Sequence, residues 1–256
     1  TEVPFFEVPA LVLAGLLLFS CVQVNTLVTV HKDGSGTVRQ VVMIKQGLSN
    51  LVKLFEGLGD DDLDFHYGIY DVEDLKRDAH DMGRGVRYVN SKPVRKDNYE
   101  GYSVTYEFDN INELRIDSKK HKDKGFEGME GMTFHFEGGS SPTLTVNMDH
   151  DMKGESDIDV DEDGDGDLDM VKGFLEGMRF SMLVQVDGNI QETNATFRDG
   201  NNLILYDIDI DKIENPEALE RLNGAHKRSI KETREVLKDL KGVKVELHDQ
   251  MVVTFK

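Results

Sequence analysis

The sequence predicts an α+β fold: antiparallel β-sheet with paired helices packed on one side, preceded by a signal-peptide helix. Three observations carry that prediction. Runs with an apolar residue at every second position recur through the 256-residue chain, as half-buried strands require. Between them lie stretches whose apolar residues recur every three or four positions, the period of an amphipathic helix. Both halves run strands, then helices, then strands, an order that suits segregated layers of sheet and helix.

The first element is a leader. Ala10 to Phe19 is an unbroken run of apolar or small residues. It is too short for the roughly 20 residues that cross a bilayer as a helix, and it has the length of a secretory signal core. The chain opens at Thr1 with Glu2 and Glu7 rather than with Met and a basic stretch, so residues 1–20 read as a signal peptide whose start precedes Thr1. The run ends at Leu18-Phe19-Ser20-Cys21. This resembles a bacterial lipobox, with an aliphatic residue three positions before the cysteine and a small residue just before it; Phe19 departs from the pattern. The resemblance implies cleavage before Cys21, acylation of its thiol and a membrane anchor, since several acyl chains hold a protein where one is marginal.

The next elements are strands. Val22, Val24, Thr26, Val28 and Val30 point one way, and Thr37 to Ile44 returns after the turn chemistry of His31 to Gly36, a hairpin signal. Leu48, Leu51, Val52, Phe55 and Leu58 then predict a helix, and Asp71 caps a second with Val72, Leu75, Ala79 and Met82 as its apolar stripe. Strands follow at Val86 to Asn90 and Tyr102 to Phe108, and a hairpin is expected across residues 132–148. After an acidic window, residues 179–186, 189–197 and 201–210 alternate between Asp-Gly turns and predict a three-stranded antiparallel meander. Two helices, opened by Asn215-Pro216 and by Ala225, and two short strands finish the chain. The expected division is 21–150 as a first α+β subdomain, 151–170 as an acidic linker and 171–256 as a second subdomain.

The acidic window is the most unusual stretch. Between Asp149 and Asp169 eleven acidic residues stand against one base, Lys153, in a chain of net charge −19. Within it, Asp161 to Lys172 resembles a twelve-residue EF-hand loop and the looser DxDxDG calcium loops of extracellular proteins. Asp161, Asp163 and Asp165 hold positions one, three and five, and Gly166 stands at the sharp turn. Asp167 would offer its carbonyl, and Asp169 would reach the ion through water. Lys172 replaces the bidentate glutamate at position twelve, which places any Ca2+ affinity near the weak range of ~10⁻⁴–10⁻³ M. The other reading is a solvated spacer, because runs of like charge with few bulky residues do not fold alone. Both stay open.

Much chemistry is excluded. The acidic balance opposes nucleic acid, whose binding depends on Lys and Arg displacing counterions from phosphates. One cysteine rules out an internal disulfide, and at a cleavage point it is badly placed to act as a nucleophile. Eight dispersed histidines make no zinc pattern, and phosphate loops, dinucleotide fingerprints and nucleophile elbows are missing. Asn194-Ala195-Thr196 fits a glycosylation sequon, which carries little weight beside a bacterial lipobox. No catalytic residue is expected.

The lone cysteine, the valine-rich strand, the Asp33 to Thr37 hairpin and the helix after it look like the start of LppM-type bacterial lipoproteins, a family proposed to bind lipid, and the stretch from Gly177 to Thr196 looks like a segment of uncharacterised bacterial envelope lipoproteins. That resemblance implies an α+β body outside the cytoplasm on a lipid anchor. The expected function is a membrane-anchored, non-catalytic binding or structural module with an envelope protein or lipid as partner. The alternatives are a calcium-responsive module using the Asp161–Lys172 loop, and a carrier of an apolar ligand.

Overall fold

The computed structural model describes residues 22–46, 71–116, 132–148, 176–213, 237, 240–246 and 248–256. They form two β-sheets packed face to face. The larger sheet has eight strands and the smaller has five. The expected α+β layering with paired helices is therefore overturned. Among the described residues one α-helix is present, α1 (Val72–Asp81), and the body is built from strands. The helices expected at 48–58, 216–222 and 225–240 lie outside the described residues, apart from Leu237 and Leu240.

The larger sheet starts from the predicted hairpin, β1 (Val22–Val30) and β2 (Gly36–Lys45), paired antiparallel with Val30 opposite Gly36. Its turn closes locally. Asp33 accepts from the Ser35 N–H at 3.0 Å and from its hydroxyl at 2.7 Å, and Gly34 adopts φ 84°, a conformation that suits glycine. β3 (Val86–Lys96) and β4 (Tyr99–Phe108) make a second hairpin on the other side of β2. Both strands run beyond their predicted bounds because the turn sits at Asp97, whose φ is 53°.

α1 matches its prediction. The Asp71 side chain accepts from the Glu73 N–H at 2.8 Å, and Leu75 and Ala79 are buried. β5 (Arg115–Ile116), β6 (Met132–Glu137) and β7 (Thr143–Asn147) open the smaller sheet. β6 and β7 are the expected hairpin.

The C-terminal strands depart from the expected meander. β8 (Arg179–Val186) lies parallel to β1, with Val28 beside Val184, and antiparallel to β11 (Asn202–Asp209). β9 (Ile190–Thr193) leaves that sheet and pairs with β13 (Gln250–Phe255) in the smaller one. The physical reason sits at Asp187-Gly188. The Asp187 N–H donates to Val30 O at 2.8 Å, and Asn189 exchanges two backbone bonds with Lys256 at 2.7 and 3.0 Å. The chain is thus handed from one sheet to the other. β10 (Arg198–Asp199) and β12 (Val243–Val245) both pair along β11. Segments 21–150 and 171–256, expected as separate subdomains, each supply strands to both sheets.

One buried cluster joins the sheets. Val28, Val38, Val104, Tyr106, Met182, Val184 and Leu203 face Phe134, Leu144, Val146, Met251, Val253 and Phe255, and α1 contributes Leu75 and Ala79. A smaller cluster of Ile210, Ile213, Leu237, Leu240 and Val243 lies beside Ile208 and Val245, under the β11–β12 end.

Candidate functional site

The face of the larger sheet turned away from the core carries a groove. In β8 the outward residues are Arg179, Ser181 and Leu183, because Phe180, Met182 and Val184 point inward. In β11 a bulge decides the outcome. Ile204 pairs with Leu183, Leu205 is the extra residue, and Tyr206 pairs with Met182. The bulge shifts the side-chain parity, so Leu205 and Tyr206 turn to the core and Asp207 turns out opposite Ser181. Without it, Asp207 would face inward. On β12, Lys244 pairs with Asp207.

Residues 196–199, which end in β10, border these strands as a lip. It completes a groove of about 570 Å³ lined by Arg179, Leu183, Phe197, Ile204, Asp207 and Lys244 among others. Arg179 grips Asp207 with two bonds, Nε to Oδ1 at 3.2 Å and Nη2 to Oδ2 at 3.3 Å. A bidentate, half-buried pair fixes both side chains more firmly than an exposed one. The Arg198 Nε donates to Gly200 O at 2.6 Å, holding that side chain along the lip. Beyond Arg179 lies a smaller cleft of about 170 Å³ at Gly177. There the Gly177 N–H donates to Asp211 at 2.6 Å, and its carbonyl accepts from Gln23 and Tyr99, each at 3.3 Å.

A buried carboxylate holds the lip. Glu246 is 0% exposed. It accepts from the Thr196 N–H at 2.5 Å, the Thr196 hydroxyl at 2.8 Å, the His248 N–H at 3.1 Å and His248 Nδ1 at 2.6 Å. Burial pushes its pKa up, and those hydrogen bonds outweigh burial, so it lies below the ordinary carboxylate value. Asn194 secures the same loop to β13. Its Nδ2 donates to Gln250 O at 2.9 Å, and its Oδ1 accepts from the Val252 N–H at 2.6 Å. The sequon residues Asn194 and Thr196 are therefore structural fasteners.

Both hydroxyl side chains of the groove are engaged within the fold. The Ser181 hydroxyl donates to Asn25 at 2.8 Å, and the Thr196 hydroxyl is committed to Glu246. Leu183, Phe197 and Ile204 offer apolar wall beside three cations and two carboxylates. Cys21 and the loop carboxylates Asp161, Asp163, Asp165, Asp167 and Asp169 lie outside the described residues. Among the described residues, no group of three or more His, Cys, Asp or Glu could hold a metal ion, and no helix is long and apolar enough to cross a membrane. Arg179, Asp207, Lys244 and Glu246 escaped sequence reasoning. A bulge of one residue leaves no periodic signal, and β12 is three residues long.

No family model matches the chain, and no curated protein matches it. Among solved structures, the NMR structure of the folded domain of LppM from Mycobacterium tuberculosis is similar over 100% of this chain and 95% of that domain, at 10% identity and a TM-score of 0.36.

Proposed function

We propose that this chain is a lipid-anchored lipoprotein of the bacterial envelope, acting as a non-catalytic binding module with the β8–β11–β12 groove as its ligand site. The observation that carries the anchor is the position of β1. The first described strand opens at Val22, directly after the lone cysteine and the apolar run. Cleavage before Cys21 would leave the folded body intact and put its acylated residue at the base of the sheet, without a spacer. The groove supports binding, since its hydroxyls are engaged in holding strands and its lip is pinned from beneath. Apolar wall beside paired charges suits a ligand with both an apolar and a polar part, which favours the carrier form of this reading.

The test is expression with the leader in a bacterial host. Mass spectrometry of the N-terminal peptide is expected to show a diacylglyceryl-modified Cys21 with residues 1–20 removed. Cys21→Ser is expected to lose the acyl mass and leave the membrane fraction. An intact leader carrying an unmodified thiol overturns the proposal.

A further inference from the structure

The outward face of the larger sheet holds a second feature on β1, β2, β4 and β3, whose Gln23, Met43, Tyr99 and Lys96 also line the smaller cleft with Asp97, Asp209 and Asp211. The strand registers place fifteen residues on four cross-strand rows of one panel: odd positions 23–27 of β1, 39–45 of β2 and 99–105 of β4, with even positions 90–96 of β3. With 49 of 256 residues acidic, fifteen positions drawn at random carry about three carboxylates. These four rows carry none, and they carry four cations: Arg39, Lys45, Lys92 and Lys96; the next row, Thr29, Thr37, Glu107 and Arg87, closes them with an ion pair between Arg87 and Glu107. Arg39, Lys92 and Lys96 are exposed and Lys45 is half-buried.

Their arrangement is ordered. Lys45 and Lys96 flank Tyr99 in one cross-strand row, and Lys92 stands in the row of Val41 and Ser103. Arg39 lies a further row along, beside Thr105. The β4 residues between are small, Gly101, Ser103 and Thr105, so long basic side chains on β2 and β3 border a low floor. Strand spacing sets the two borders about 9.5 Å apart, and Arg39 and Lys45 are about 20 Å apart along β2. That is a shallow basic trough on an acidic protein.

We propose that this trough docks a linear anionic polysaccharide. A narrow chain of spaced charges meets the panel alone. A bilayer surface would present charge to everything within a Debye length of roughly 8 Å, including the acidic flanks of a −19 chain. Single-stranded nucleic acid is held by aromatic platforms as well as charge, and Tyr99, the one aromatic residue of the panel, has its hydroxyl on Gly177 O. The inference goes beyond the groove and does not depend on acylation of Cys21.

The experiment uses the full chain carrying Cys21→Ser, with chelator present, and a fluorescent heparin-derived oligosaccharide as the probe. Anisotropy is expected to show binding at low salt that is lost at half-molar salt. Lys92→Glu with Lys96→Glu is expected to weaken it about tenfold or more. Lys76→Glu with Arg84→Glu, two charge reversals away from the panel, is expected to leave it unchanged. Lys92→Gln with Lys96→Gln, checked for native circular dichroism, guards against misfolding and is expected to weaken binding in the same direction. Equal affinity in the panel and control variants overturns the proposal, as does failure to bind at low salt. Tighter binding to a single-stranded oligonucleotide or to phosphatidylglycerol vesicles overturns the choice of partner.

Discussion

Glu246 shows how one side chain can govern a loop. It is fully buried and accepts hydrogen bonds from Thr196 and His248, so it ties the groove's lip to the β12–β13 connection. Glu246→Gln keeps the shape but turns an amide toward donors, leaving at least one buried group unsatisfied. The expected cost is about 1–3 kcal/mol, measured as a shift in the denaturant midpoint. The pH dependence has a definite sign. A folded-state pKa held below the ordinary value of 4.5 contributes stability that is complete above that value. It is lost as the pH falls through the lowered one. Melting temperatures taken downward from pH 7 are therefore expected to drop most steeply below about pH 4.5, and Glu246→Gln is expected to flatten that drop. An unaltered acid limb in the variant assigns the effect to other carboxylates. At this scale the sequence was nearly silent, because one glutamate among many acids carries no mark of burial.

At the scale of elements, the hairpins were legible and the sheet partners were not. β1 and β2 announce themselves through alternation and the Asp33-Gly34 turn, and α1 through its cap and apolar stripe. Each of these signals lies within about a dozen neighbouring residues. Gly36, where β2 begins, shows the limit. Its place looks like turn chemistry, yet a Cβ there would run into the Thr29 carbonyl and the Phe108 ring. Gly36→Ala is expected to destabilise by about 1–3 kcal/mol through overpacking, read by thermal unfolding. Gly200→Ala, where a Cβ meets open space but φ is 58°, is expected to cost about 1 kcal/mol. A larger loss at Gly200 than at Gly36 contradicts this ranking.

At the scale of the whole molecule, both sheets are completed by distant partners. β8 inserts beside β1, and β13 is the strand between β7 and β9. Residues 21–150 or 171–256 expressed alone are each expected to remain unfolded by circular dichroism and amide exchange. The two mixed, or the intact chain, are expected to recover sheet signal in one cooperative transition. A stable, dispersed spectrum from either half contradicts the interleaved fold. Such long-range pairing, a parallel pair included, also places the chain among slowly folding topologies, in the range of milliseconds to seconds.

The amino-acid order by itself determined the β1–β2 and β6–β7 hairpins, the capped helix α1 and the faces of their side chains, because alternation and turn preferences act between near neighbours. Only the tertiary structure decided that β8 runs parallel to β1, that β9 crosses to the other sheet and that a bulge turns Asp207 outward to Arg179. Those outcomes rest on backbone pairing between distant segments, 156 positions apart for β1 and β8 and 60 to 65 for β9 and β13, and on a one-residue bulge between β8 and β11, for which no local pattern exists. The basic trough belongs to the same class: its four cations are scattered along two hairpins and become neighbours only when β2, β4 and β3 are laid side by side.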